Sequence, residues 1–226
     1  MRPVQYPDKT LVLPPRLCAS VDYYARVWEY GNYIQNWGLR FDKRMKDAHR
    51  FTIADTRGPL TLTVPIAKPE SSSCSWGDIR ISTHGAWWDV HRVALESAYG
   101  RTPYFEFYID RFLPMLTVGV EERYPSLASL ALAWDAEIRK ILTLAPSCQT
   151  DDCAENTIVT EVGAGHKFRL VDESQGDFWW QEHPLPPYYQ VRADKLGFIP
   201  NLSILDLIFN LGPESPLYLH TLTTRS

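Results

Sequence analysis

Apolar residues recur at helical intervals between Trp87 and Tyr99. Trp87, Val90, His91, Ala94, Leu95, Ala98 and Tyr99 form one continuous stripe, and Gly100 is placed to stop the helix. The same interval links Leu17, Val21, Tyr24, Ala25 and Trp28, which predicts a helix over 17–30. It also links Leu127, Leu130, Ala131, Trp134, Ile138, Ile141 and Leu142, which predicts one over 127–142. Tyr104 to Leu116, behind Pro103, reads as a bent helix. The period changes to two between Arg50 and Ile66. Phe51 and Ile53 share a face, Asp55-Thr56-Arg57-Gly58-Pro59 turns, and Leu60, Leu62, Val64 and Ile66 resume that face as the second arm of a hairpin. Asp78 to Ser82 reads as a short strand with Ile79 and Ile81 inward. Near the end, Asn201 is placed to cap a helix over Leu202 to Asn210, and Pro213 to open a closing helix. The apolar tail from Tyr189 to Leu219 needs a partner surface, which the helix carrying His91 can supply.

Residues 146–187 are more polar. They carry a predicted hairpin, Thr157–Val162 and His166–Leu170 around Gly163-Ala164-Gly165, and end in Pro184-Leu185-Pro186-Pro187. With too few apolar residues for a core of its own, this stretch reads as a surface excursion rather than a second domain. The fold class that follows is α+β (mixed α/β). A single domain over 1–226 packs a small, mainly antiparallel sheet against several helices.

Composition narrows the function classes. Hydrophobic content of 45% with 9 Phe, 12 Tyr and 8 Trp excludes global disorder. A net charge of −4 with no basic stripe argues against nucleic acid as a partner. No apolar run approaches the roughly 20 residues needed to span a bilayer, and Met1 to Pro7 lacks the apolar core of a signal peptide. A cytoplasmic location with reduced thiols is expected for Cys18, Cys74, Cys148 and Cys153. Cys148 and Cys153 are followed nearby only by His166, which falls short of a zinc ligand set, so no metal is expected. No motif points to a cofactor.

Each residue with candidate chemistry also has a structural reading. His91 lies on an apolar stripe, so it faces either a cleft, where it can act as a base, or the core, where it packs beside Trp87. Arg44, His49 and Arg50 lead into the hairpin. They form either an anion-binding cluster or a solvated basic turn. Glu106 sits among Tyr104, Phe105, Phe107 and Tyr108, where apolar surroundings raise a carboxyl pKa, unless the side chain points to water. Tyr99 and Tyr108 complete the expected substrate-binding set. Gly212-Pro213-Glu214-Ser215 is a site-like turn or an ordinary helix start, and Trp179-Trp180-Gln181-Glu182-His183 a binding lip or a pinned loop.

Together these stretches resemble the WbqC-like family over roughly residues 11–115 and 188–219. The resemblance rests first on Arg50-Phe51-Thr52-Ile53-Ala54, Gly58-Pro59-Leu60 and Leu62-Thr63-Val64-Pro65-Ile66. Asp78-Ile79-Arg80-Ile81-Ser82, Trp87, His91, Ser97-Ala98-Tyr99 and Pro103 to Tyr108 follow. The tail adds Tyr188-Tyr189-Gln190-Val191, Gly197-Phe198, Pro200 to Ile204, Asp206, Phe209-Asn210 and Gly212 to Ser215. The family's basic motif falls on Arg44 to Arg50, where Arg44 replaces a lysine, Ala48 an arginine and His49 an asparagine, while Arg50 is retained. Leu17-Cys18 stands in place of an aromatic pair.

The resemblance implies a step in O-antigen or other surface-polysaccharide biosynthesis, such as acyl or aminoacyl transfer to an amino sugar. In that scheme His91 takes a proton from the sugar amine and Glu106 orients or relays, as the catalytic pair. Arg50 with Arg44 grips an anionic donor or a nucleotide pyrophosphate. The expected partners are a small-molecule or nucleotide-linked sugar and an acyl donor. The alternatives are a non-catalytic scaffold that holds a glycan intermediate and a nucleotide-sugar isomerase or hydrolase. An enzyme gathers His91, Glu106 and Arg50 around one pocket, whereas a scaffold leaves them dispersed.

Overall fold

A computed structural model describes residues 9–31, 33–69, 71, 73–82, 84–144, 161–162, 166–167, 169–172 and 184–223. Strand β1 (Lys9–Leu13) is the centre of a three-stranded sheet, with β2 (Tyr33–Gln35) on one side and β7 (Arg169–Asp172) on the other. Both pairings are parallel, with Leu11 opposite Tyr33 and Lys9 opposite Arg169. Parallel neighbours need long crossover connections, and here α1 (Val21–Tyr30) supplies the one between β1 and β2. The largest sheet is therefore parallel. The antiparallel pairs are two separate hairpins, β3 (Arg50–Asp55) with β4 (Gly58–Thr63), and β5 (Glu161–Val162) with β6 (His166–Lys167). The expected α+β class holds, and four residues of the polar 146–187 stretch enter the central sheet as β7.

Past Thr63 the second arm of the main hairpin stays extended, and Ile66 bridges to Ile81. The strand expected at 78–82 is reduced to that bridge and one between Arg80 and Ser126, because residues 76–78 close into a single 3-10 turn. Ile79 and Ile81 nevertheless point inward, 2% and 6% exposed. Helix α2 (Trp87–Tyr99) has the bounds its stripe predicts. It buries Trp87, His91, Leu95, Ala98 and Tyr99, while Val90 turns out to solvent. Helix α3 (Phe105–Phe112) bends into a 3-10 turn that contains Pro114. After the short α4 (Val120–Arg123), α5 (Leu127–Ile141) starts at Ser126, whose hydroxyl accepts from the Ser129 amide at 3.1 Å.

The tail holds α6 (Ala193–Leu196), α7 (Ile204–Leu211) and α8 (Ser215–Thr223), the last two joined by a 3-10 turn through Pro213. Every residue of α7 from Ile204 to Asn210 is buried. As expected, the tail packs on α2: the Phe209 ring lies 5.3 Å from Tyr99, and Arg192 donates to the carbonyls of Ser97 and Ala98. The cap of α7 is Ser203 rather than Asn201. Asn201 adopts φ 53, which asparagine tolerates, and its Oδ1 accepts the amide of Asp22 at 3.1 Å. It thus caps α1 across the fold. The starts of α1 and α7 meet there, where Val21 donates to Leu202 and Ile204 to Ala19.

Candidate functional site

The structure divides the sequence-predicted residues: His49, Arg50 and His91 meet at Thr63 and Val64, whereas Arg44 and Glu106 stand at the surface. Arg44 is 86% exposed on its side chain and pairs with Asp42, two residues away, through Nε at 3.0 Å and Nη2 at 2.9 Å. That pairing also holds the Asp42 carboxyl below its usual pKa. His49 is half-buried, its Nδ1 2.9 Å from the Val64 carbonyl and its ring stacked 6.3 Å from Trp76. Burial pushes its pKa down, and Arg50 adds to the shift. Arg50 opens β3 opposite Thr63, with a buried Nε that has no partner among the described residues. Glu106 and Phe107 point to solvent from α3, while Tyr108 packs on the edge of the core.

His91 is 3% exposed. Its ring stands edge-on to Trp87 at 5.2 Å and Phe51 at 5.6 Å, and Nε2 donates to the Thr63 carbonyl at 3.2 Å. Burial lowers its pKa to about 4, so the imidazole is neutral at physiological pH. Tyr99 is buried, and its hydroxyl accepts the Ala54 amide at 3.1 Å. Cys148, Cys153 and Trp179 to His183 lie outside the described residues. Among the described residues no cluster of three His, Cys, Asp or Glu has the geometry of a metal site.

Three buried aspartates are the strongest polar features of the interior, and each has a structural role. Asp135 accepts from Tyr33 at 2.5 and 2.6 Å, from Tyr24 at 2.8 Å and from Arg139 at 2.8 Å. This ties α5 to α1 and β2. Asp206 accepts from Tyr188 at 2.6 Å and Gln190 at 2.9 Å, with the Tyr99 hydroxyl beside it. Burial raises its pKa, and these hydrogen bonds only partly offset the rise. Gln190 also clamps both backbone groups of Ile199, and Asn210 holds the Val191 amide, so this cluster fixes the course of residues 188–199. Asp22, fully buried at the α1–α7 junction, likewise has its pKa raised by burial.

An open cavity of 410 Å³ lies elsewhere, between the extended arm after β4 and the chain leading into Ile81. Ala67, Lys68, Pro69, Ser71, Cys74, Asp78, Ile79 and Arg80 line it. Its size falls within the range of small-molecule sites. Two backbone features hold its walls: the Ala67 amide donates to the Arg80 carbonyl at 2.9 Å, and Trp76–Asp78 forms a capped turn. In that cap Asp78 Oδ2 accepts from the Ser75 amide at 2.8 Å and hydroxyl at 2.7 Å. These two bonds hold the Asp78 carboxyl below its usual pKa.

Lys68 and Arg80 are exposed, and neither forms an ion pair with a described carboxylate. The cavity therefore offers two cations, one ionised carboxylate, a hydroxyl and a thiol to a ligand. His49 touches this wall from behind through Trp76, but none of the seven predicted site residues lines the cavity. A signal was present in the sequence. With Ile79 and Ile81 inward, strand alternation puts Asp78 and Arg80 on the opposite face.

Residues 22–218 match the WbqC-like protein family. The chain belongs to that family. It is also 30% identical over 160 residues to a Mycobacterium tuberculosis protein described as uncharacterized, a match covering 59% of this chain and 64% of the relative. The chain thus spans less than two thirds of that relative's length. No solved structure matches it. In this WbqC-like protein the tail residues that carry the resemblance, Tyr188, Gln190, Asp206 and Asn210, form the buried clamp around Asp206. Asp78, Ile79 and Arg80 carry it too, and they line the cavity.

Proposed function

We propose that this WbqC-like chain is a cytoplasmic participant in surface-polysaccharide biosynthesis that binds a small sugar intermediate in the cavity between Ala67 and Arg80. The observation that carries this reading is an open polar cavity inside the family-matched region, furnished with a carboxylate and with two cations that no described carboxylate pairs. Carboxylates accept sugar hydroxyls or amines, and guanidinium and ammonium groups hold the phosphates that activated sugars bear. In the finer version an amino sugar is the acceptor of an acyl or aminoacyl group.

A second reading, a non-catalytic subunit that holds a glycan intermediate, is favoured by one observation. His91 is sealed beneath Phe51 and Trp87, and Glu106 faces solvent, so the expected acid–base pair does not line the cavity. The test is a thermal-shift screen of nucleotide sugars, sugar phosphates and acyl thioesters, followed by mass spectrometry of any sugar that binds. A sugar ligand that raises the melting temperature supports the shared reading. Conversion in the presence of an acyl thioester selects transfer over holding. If no sugar derivative shifts the melt, the proposal is wrong.

A further inference from the structure

We infer that the cavity is a two-part site for a phosphorylated sugar, with Lys68 and Arg80 taking the phosphate and Asp78 the sugar. This rests on the reading of the chain as a sugar-binding protein and adds the chemistry and orientation of the ligand. Lys68 and Arg80 both line the cavity from neighbouring segments, one in the arm after β4 and the other two residues past the Trp76–Asp78 turn. The hydrogen bond from the Ala67 amide to the Arg80 carbonyl joins those segments. Neither cation meets a described carboxylate. They differ in this from Arg44, which Asp42 occupies. Both groups bind phosphate, the guanidinium as a planar fork and the ammonium as a point charge.

A bare anion fits the cavity poorly, because Asp78 also lines it and is ionised. Its Oδ2 accepts from Ser75, which fixes the carboxylate in place, so the contact to a ligand falls to Oδ1. A phosphate alone meets that negative charge as repulsion. A sugar phosphate turns it into a hydrogen bond from a hydroxyl or amine. Ser71 adds a further hydroxyl on the same rim. Cys74, half-buried and free in the lining, is a built-in reporter of occupancy. Cys18 is buried and serves as its internal control.

The test uses the full chain and three probes, N-acetylglucosamine 1-phosphate, N-acetylglucosamine and inorganic phosphate. Binding is measured by calorimetry at low salt, and Cys74 alkylation by iodoacetamide is followed by peptide mass. The sugar phosphate is expected to bind most tightly and to slow Cys74 alkylation while leaving Cys18 unchanged. Arg80→Met and Lys68→Met should each weaken it by about ten-fold, the loss expected for one charge-assisted contact at an open site. Asp78→Asn, whose amide oxygen can still accept from Ser75, should move the two ligands in opposite directions. Phosphate tightens and the advantage of the sugar phosphate shrinks.

If the sugar phosphate binds but keeps its affinity in both cation variants and leaves Cys74 unprotected, this site is overturned while the sugar-binding function stands. If neither N-acetylglucosamine 1-phosphate nor its nucleoside diphosphate derivative binds the wild type, both readings fall. Equal binding of phosphate and sugar phosphate overturns the role given to Asp78.

Discussion

His91 makes a prediction about acid stability that a surface histidine would not. Its ring is enclosed by Trp87 and Phe51, and its folded pKa is about 4 against 6.5 for a free imidazole. Between those values the unfolded chain binds a proton that the folded chain refuses. Stability contributed by the neutral ring is therefore complete above pH 6.5, declines as pH falls, and is gone near pH 4. A shift of that size is worth at most about 3 kcal/mol. His91→Gln keeps a donor for the Thr63 carbonyl and removes the titration.

At pH 7 the variant should lose about 1–3 kcal/mol through poorer fit among the rings. As pH falls toward 4 the gap should close or invert. Burial raises the pKa of Asp22 and Asp206, which gives them the opposite slope, and the half-buried His49 has the same sign as His91. These groups are common to both proteins and cancel in the difference. The assay is urea denaturation of wild type and variant at half-unit steps from pH 4 to 8. Parallel stability curves across that range would falsify the account, since they would mean that the imidazole is already solvated in the folded state.

Three further outcomes follow from the core. Asp135→Ala strands the Tyr24 and Tyr33 hydroxyls and breaks the ion pair to Arg139, so urea denaturation should show a loss of about 3–5 kcal/mol, and Tyr33→Phe about 1–2 kcal/mol. Equal, small losses in both would sink the idea of Asp135 as a hub. Gly212→Ala puts a methyl 2.5 Å from the Tyr104 ring at φ 52, and should cost about 2–5 kcal/mol in the same assay; a neutral result contradicts the packing. Deleting residues 188–226 removes α7, whose residues are nearly all buried, and with it the caps that Asn201 and Leu202 provide to α1. The remainder should lose its cooperative melt in calorimetry, and a truncated chain that keeps one refutes the dependence.

Helix α2 was legible to the residue because its stripe is set by local periodicity alone, and the β3–β4 hairpin because its two arms are adjacent in the chain. The parallel sheet was not legible. The partner of Lys9 is Arg169, at the end of an arm expected to pair within its own hairpin, and no local pattern links positions so far apart. Asn201 shows a different limit. Asn201 is expected to cap α7, but the amide it serves belongs to α1, a choice made by tertiary packing. The apolar stripe placed His91 inward, and it is inward. A stripe reports depth, however, and says nothing about whether the other side of the ring meets a cleft or Phe51.

The same distinction divides the residues that carry the family resemblance into a buried set and a set at the cavity. Tyr188, Gln190, Asp206 and Asn210 look like chemistry in a sequence, being polar, aromatic and closely spaced. Buried, they act as an internal scaffold: Asp206 accepts from Tyr188 and Gln190, Gln190 grips Ile199, and Asn210 grips Val191. A chain that must run 188–199 across the surface of α7 without a strand partner has to satisfy its backbone groups from side chains, and that requirement alone accounts for the motif. Ligand recognition needs polar groups left unsatisfied by the fold. On that criterion Asp135 and Arg44 are spent. Among the described residues Lys68, Arg80 and Oδ1 of Asp78 remain at the cavity, and the buried Nε of Arg50 remains opposite Thr63.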